Sequence, residues 1–113
     1  MALILDQTSI TGDVYSNTIY PNKNKCIAGT YSYNVGAGDL VAALVLQCSD
    51  EFDPSYEQHV GWVTESTHSF SSDPGGVAGE DEFNFANCNH KAYRIMVDFT
   101  SGDGPMKIND SNN

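Results

Sequence analysis

The sequence predicts an all-β protein: one antiparallel β-sandwich of jelly-roll or immunoglobulin-like type, with about eight short strands. Three observations carry this. Apolar residues recur with a period of two, the spacing of a half-buried strand, not with the 3.6 of an amphipathic helix. Turn-forming clusters punctuate the chain at nearly even intervals, among them Pro21-Asn22-Lys23-Asn24, Gly36-Ala37-Gly38-Asp39 and Gly102-Asp103-Gly104-Pro105. The 113 residues suit a single domain over 1–113, and 40% hydrophobic with 11% aromatic content suffices for a core. No linker or internal repeat divides the chain.

The elements follow in order. Residues 1–8 read either as the first strand or as a docking arm whose Leu3, Ile4 and Leu5 add to a neighbouring subunit's sheet edge. Residues 13–20 form a strand stopped by Pro21. Residues 26–33 form another, with Gly29 as a bulge. Residues 40–48 have helix-favouring Ala and Leu, but the run is short, bounded by turn residues and apolar on both faces, which fits a central strand. Leu40, Ala42, Leu44 and Leu46 then face the core, and Val41, Ala43 and Val45 face outward. Residues 59–65 alternate around Val60, Trp62 and Thr64, with Trp62 assigned to the core. Phe83 and Phe85 mark a strand, Tyr93, Ile95, Val97 and Phe99 a longer one, and residues 105–109 the last, before a fraying tail at 110–113.

Charge excludes several functions. Fifteen Asp and Glu against five Lys and Arg give a net charge of -10. Such a polyanion gains nothing from releasing phosphate counterions and lacks the basic cluster that anionic lipid attracts, so neither nucleic acid nor membrane is an expected partner. The N-terminus has no basic region of a signal peptide, and the run 40–46 is too short to span a bilayer. Cys26, Cys48 and Cys88 contain no CxxC pair and read as reduced thiols of a protein folded in cytoplasm.

Chemistry-bearing motifs are sparse. The Cys88-x-His90 pairing lacks the further ligands that zinc requires, and His59 and His68 stand apart from it. No GxSxG elbow is present, and Gly36-Ala37-Gly38-Asp39 lacks the third glycine of a dinucleotide fingerprint. Asp50, Glu51, Asp53 and Glu57, and Asp73, Glu80, Asp81 and Glu82, read as solvated acidic loops, with calcium binding as the alternative. No catalytic residue, metal site or cofactor is expected. Tyr15, Tyr31 and Tyr33 look outward, which keeps a carbohydrate-binding sandwich, calcium-assisted or not, as an alternative function.

Two stretches add a resemblance. Leu44-Val45-Leu46-Gln47-Cys48-Ser49-Asp50, an acidic insert and Gly61-Trp62-Val63-Thr64 resemble a pattern in small bacteriophage virion proteins. Tyr93-Arg94-Ile95-Met96-Val97, followed by Ser101-Gly102-Asp103-Gly104, is similar to a hairpin of the same proteins. The resemblance implies a non-enzymatic β-sandwich protein of the virion, a capsid decoration (cement) or minor head or tail component. Its partners would be other virion proteins, capsid subunits or further copies of itself. The candidate contacts come from the residues themselves: Leu3, Ile4 and Leu5, and the outward apolar Val41, Ala43 and Val45, which another subunit or a covering loop of the same chain would hide.

Overall fold

The structure is a computed structural model that describes residues 2–65 and 78–111. Ten strands and no helix are found among them: β1 (Ala2–Ile10), β2 (Val14–Tyr15), β3 (Ile27–Tyr33), β4 (Val41–Ser49), β5 (Glu51–Asp53), β6 (Gln58–Val60), β7 (Val63–Thr64), β8 (Gly79–Phe85), β9 (Ala92–Ser101) and β10 (Gly104–Asp110). One four-stranded antiparallel sheet runs β1-β10-β3-β8 and a second β2-β9-β4-β7, with β5 and β6 as a separate hairpin. The two sheets pack face to face as a β-sandwich, because each has one apolar face to bury.

The core is built by alternation. Along β4, Ala42, Leu44, Leu46 and Cys48 are buried while Val41, Ala43, Val45 and Gln47 are half-buried, the parity expected of this strand. Opposite them on β9, Tyr93, Ile95 and Val97 point inward and meet Ile10, Ile27, Tyr31, Met106 and Ile108 of the first sheet. Each fully buried Leu, Ile or Val among these contributes about 1.5–3 kcal/mol through the apolar area it removes from water.

Several expectations are corrected. The strand expected over 13–20 is only β2 plus an isolated bridge between Ile19 and Tyr93. Between them the Ser16 amide donates to the Ile95 carbonyl and its Oγ accepts from the Ile95 amide, both at 2.9 Å, so a side chain substitutes for the ladder. The strand expected over 59–65 breaks at Gly61, whose φ of 68° ends β6 and starts β7. Residues 50–57 are the β5–β6 hairpin's first half and turn, and Glu80, Asp81 and Glu82 lie on β8, so neither acidic segment is a simple loop. Asp73 and His68 lie outside the described residues.

Gly29 is not a bulge. The β3–β8 register runs unbroken through Gly29 opposite Phe83. Glycine is required because a Cβ there would meet the Asn109 carbonyl oxygen and come within 2.6 Å of the Phe83 ring. Register shifts lie elsewhere: on β1 between Leu3 and Leu5 and between Gln7 and Ile10, and in the β4–β9 pair at Val41/Ala42. The first explains why consecutive Ile4 and Leu5 are both buried: an extra residue resets the alternation. At the C-terminus, Asp110 still pairs with Gly29 and the Ser111 amide donates to the Ala28 carbonyl, so residues 110 and 111 are held; 112 and 113 lie outside the described residues.

Candidate functional site

Two places gather chemistry: the outer face of the β2-β9-β4-β7 sheet and a side-chain cluster at the end of β4. The outer face follows from strand parity. With Leu44 and Leu46 turned to the core, Val41, Ala43, Val45 and Gln47 must turn away, and the same rule on β9 turns out Arg94, Met96 and Asp98. The register sets Tyr15, Met96 and Val45 side by side, then Arg94, Gln47 and Thr64, with Asp98 across from Ala43. β4 has no charged side chain along its length.

Arg94 organises this face. Its guanidinium lies 4.1 Å from the Tyr15 ring centroid and 4.6 Å from that of Trp62, and its Nε donates to Gln47 Oε1 at 2.8 Å. The cation is thus sandwiched by two π-faces and partly removed from water, and that desolvation pushes its pKa below the usual arginine range. The aromatic surface continues beyond Trp62: His59 lies 6.2 Å from it, with Phe52 at 5.2 Å and Tyr20 at 5.7 Å from His59. Tyr15, Tyr20 and Phe52 keep 48%, 56% and 52% of their surface exposed, well above what a core aromatic shows. Tyr, Trp, Arg and Met around an apolar strip is the composition of interface centres.

The predicted contact residues fall into two groups on opposite sheets. Val41, Ala43 and Val45 lie together on the outer face just described. Leu3, Ile4 and Leu5 lie on β1, paired with β10, where Ile4 and Leu5 belong to the core and only Leu3 is exposed. The Ile4 carbonyl accepts from the Asn17 amide at 2.8 Å, tying β1 to the segment after β2. The expectation of outward tyrosines holds for Tyr15 alone. Tyr31 is buried in an inner-face row of rings with Tyr33, Phe83 and Phe85. Trp62, assigned to the core, is half-buried on the outside against Arg94. Arg94 and Met96 were readable from the β9 alternation; Trp62 was not, because Gly61 shifts the phase of its strand.

The second cluster joins residues far apart in sequence. Cys48 ends the inward row of β4, Glu65 follows β7 with its amide donating to the Leu46 carbonyl, and His90 precedes β9. Cys48 Sγ, a Glu65 carboxylate oxygen and a His90 ring nitrogen all lie within 4.8 Å of one another. His90 bridges two carboxylates, with Nδ1 2.7 Å from Asp50 Oδ2 and Nε2 3.2 Å from Glu65 Oε2. Asp50 is held in place by the Lys91 amide at 3.0 Å. The Asp50 hydrogen bond raises the His90 pKa, and the same bond, then the Lys91 amide, lowers that of Asp50. Burial foremost, then the charges of Glu65 and Asp50, pushes the Cys48 thiol up. Behind the cluster the Tyr93 hydroxyl accepts from the His90 amide at 3.1 Å, and burial pushes its pKa up to about 12. All three cysteines are free thiols.

A scan against protein-family models and a search of curated proteins return no match for the chain. No helix among the described residues is long and apolar enough to cross a membrane.

Proposed function

We propose that the chain is a non-enzymatic structural protein of a phage particle, a capsid decoration or minor virion protein that docks onto the shell through the outer face of β4 and β9. The observation that carries this is the uncharged strip Val41, Ala43 and Val45 flanked by Met96, Tyr15, Trp62 and the stacked Arg94. An apolar row on the outside of a sandwich, where polar residues normally stand, is best stabilised by a partner surface. The resemblance of 44–50, 61–64 and 93–104 to phage virion proteins supports the setting. Charge favours a shell subunit over a second copy, because two copies each at -10 repel.

A glycan-binding function fits this face less well. Sugar stacking favours a flat ring platform, whereas the exposed Tyr20 and Phe52 are tilted at 59° and 72° to His59 and one face of Trp62 is covered by Arg94. The test is a mass-spectrometric inventory of purified particles of the phage that encodes the chain. The polypeptide is expected among the stoichiometric virion proteins; its absence from intact particles, with binding on a glycan array, would favour the carbohydrate reading instead.

A further inference from the structure

The cluster at the end of β4 has a composition that a merely structural ion pair does not need. We propose that Cys48, Glu65 and His90 form a binding site for a thiophilic divalent transition-metal ion, of the zinc type, independent of the docking face.

The donor set selects the ion. A thiolate, an imidazole nitrogen and one carboxylate oxygen suit Zn²⁺ and its first-row neighbours and do not suit Ca²⁺ or Mg²⁺, which take oxygen ligands. The geometry is close to that of the bound state. In tetrahedral zinc sites, bonds of about 2.0–2.3 Å place neighbouring donors roughly 3.3–3.6 Å apart. His90 Nε2 and Glu65 Oε2 are already 3.2 Å apart, and all three donors lie within 4.8 Å of one another, so closing the set takes a shift of about 1 Å, within side-chain adjustment.

The outer partners are also in place. Metal-bound histidines commonly donate their other ring nitrogen to a carboxylate, which fixes the tautomer. Asp50 Oδ2 stands 2.7 Å from His90 Nδ1 and thereby leaves Nε2, beside Glu65, as the ligating atom. Cys48 is buried and Glu65 nearly so, but the His90 side chain is 39% exposed, which provides an entry path.

Charge points the same way. Without a cation, Glu65 and Asp50 oppose ionisation of the Cys48 thiol; a dication reverses that sign. Ligation by thiolate expels the Cys48 proton to solvent, a protonated His90 ring gives up its Nε2 proton the same way, and Glu65 ligates through a carboxylate oxygen.

The experiment is titration of the EDTA-stripped full-length protein with Co²⁺, followed by displacement with Zn²⁺. One equivalent is expected to produce thiolate-to-cobalt charge-transfer absorption with visible bands of tetrahedral intensity, abolished by Zn²⁺ and absent in Cys48→Ala. Asp50→Asn should weaken binding by about 10–100-fold, and His90→Gln, taken at native circular dichroism, at least as much. No charge-transfer band in the native sequence, a band that survives Cys48→Ala, or native affinity in His90→Gln would each overturn the site.

Discussion

Arg94 shows how one side chain can carry the outer face. Its guanidinium is held between the Tyr15 and Trp62 rings and tied to Gln47, which in turn reaches Met96 Sδ at 3.7 Å. Lysine keeps the charge but not the flat, stacking fork. Arg94→Lys should therefore cost about 0.5–1 kcal/mol in chemical denaturation and shift the fluorescence of Trp62, the single tryptophan. A second residue fixes the loop that enters β4. Asn34 is buried, adopts a φ of 55°, and both donates to the Leu40 carbonyl and accepts from the Leu40 amide at 3.1 Å. Asn34→Ala loses both bonds and a residue tolerant of left-handed backbone, so urea unfolding should show a loss of about 2–4 kcal/mol. The glycines of 36–38 announced a turn in the sequence, but nothing in its spacing showed that Asn34 closes it.

Elements whose two faces differ were the readable ones. β9 alternates apolar with polar in the sequence, which assigns Tyr93, Ile95 and Val97 to the core, and reading the doubly apolar 40–48 run as a central strand places Leu44 and Leu46 there. Where the backbone resets its phase, alternation misleads. The β1 bulge buries Ile4 and Leu5 together, and the positive φ of Gly61 splits one expected strand into two that pair with different partners. The His90 cluster was illegible for another reason: its members meet only because β4, β7 and β9 are neighbours in one sheet. In metal-stripped protein it also couples the ends of β4 and β9 to pH. His90, its pKa raised chiefly by Asp50, contributes stability below its unfolded value of ~6.5 and loses it as pH rises through the folded value. Asp50, lowered chiefly by His90, contributes above its unfolded value of ~4 and loses it as pH falls through its folded value. The pair's share of the melting temperature should therefore be largest between pH ~4 and ~6.5. Glu65, Cys48, Tyr93 and Lys91 surround the pair, so the clean comparison is native protein against Asp50→Asn, in which both flanks of the profile should flatten.

Among the described residues, the acidic side chains concentrate away from the outer face of β4. Glu80, Asp81 and Glu82 stand in succession on β8, the edge of the first sheet, where they discourage another strand from adding. Glu51, Asp53 and Glu57 mark the β5–β6 hairpin. The outward side chains of β4 are neutral and, on β9, Arg94 and Asp98 offset each other, so the net charge of -10 lies on surfaces other than the proposed contact. The structure also selects the variant that probes it. Asp98 lies across from Ala43, so an acid at 43 would set two carboxylates face to face and weaken the monomer itself. Ala43→Lys instead gains Asp98 as a partner in the free protein, and its ammonium becomes costly only when an apolar surface covers it. The direct measurement is co-sedimentation of purified protein with phage particles lacking it, comparing the native sequence with Ala43→Lys of unchanged melting temperature. The native protein should pellet with the particles and the variant should stay in the supernatant; equal pelleting of both would contradict docking through this face.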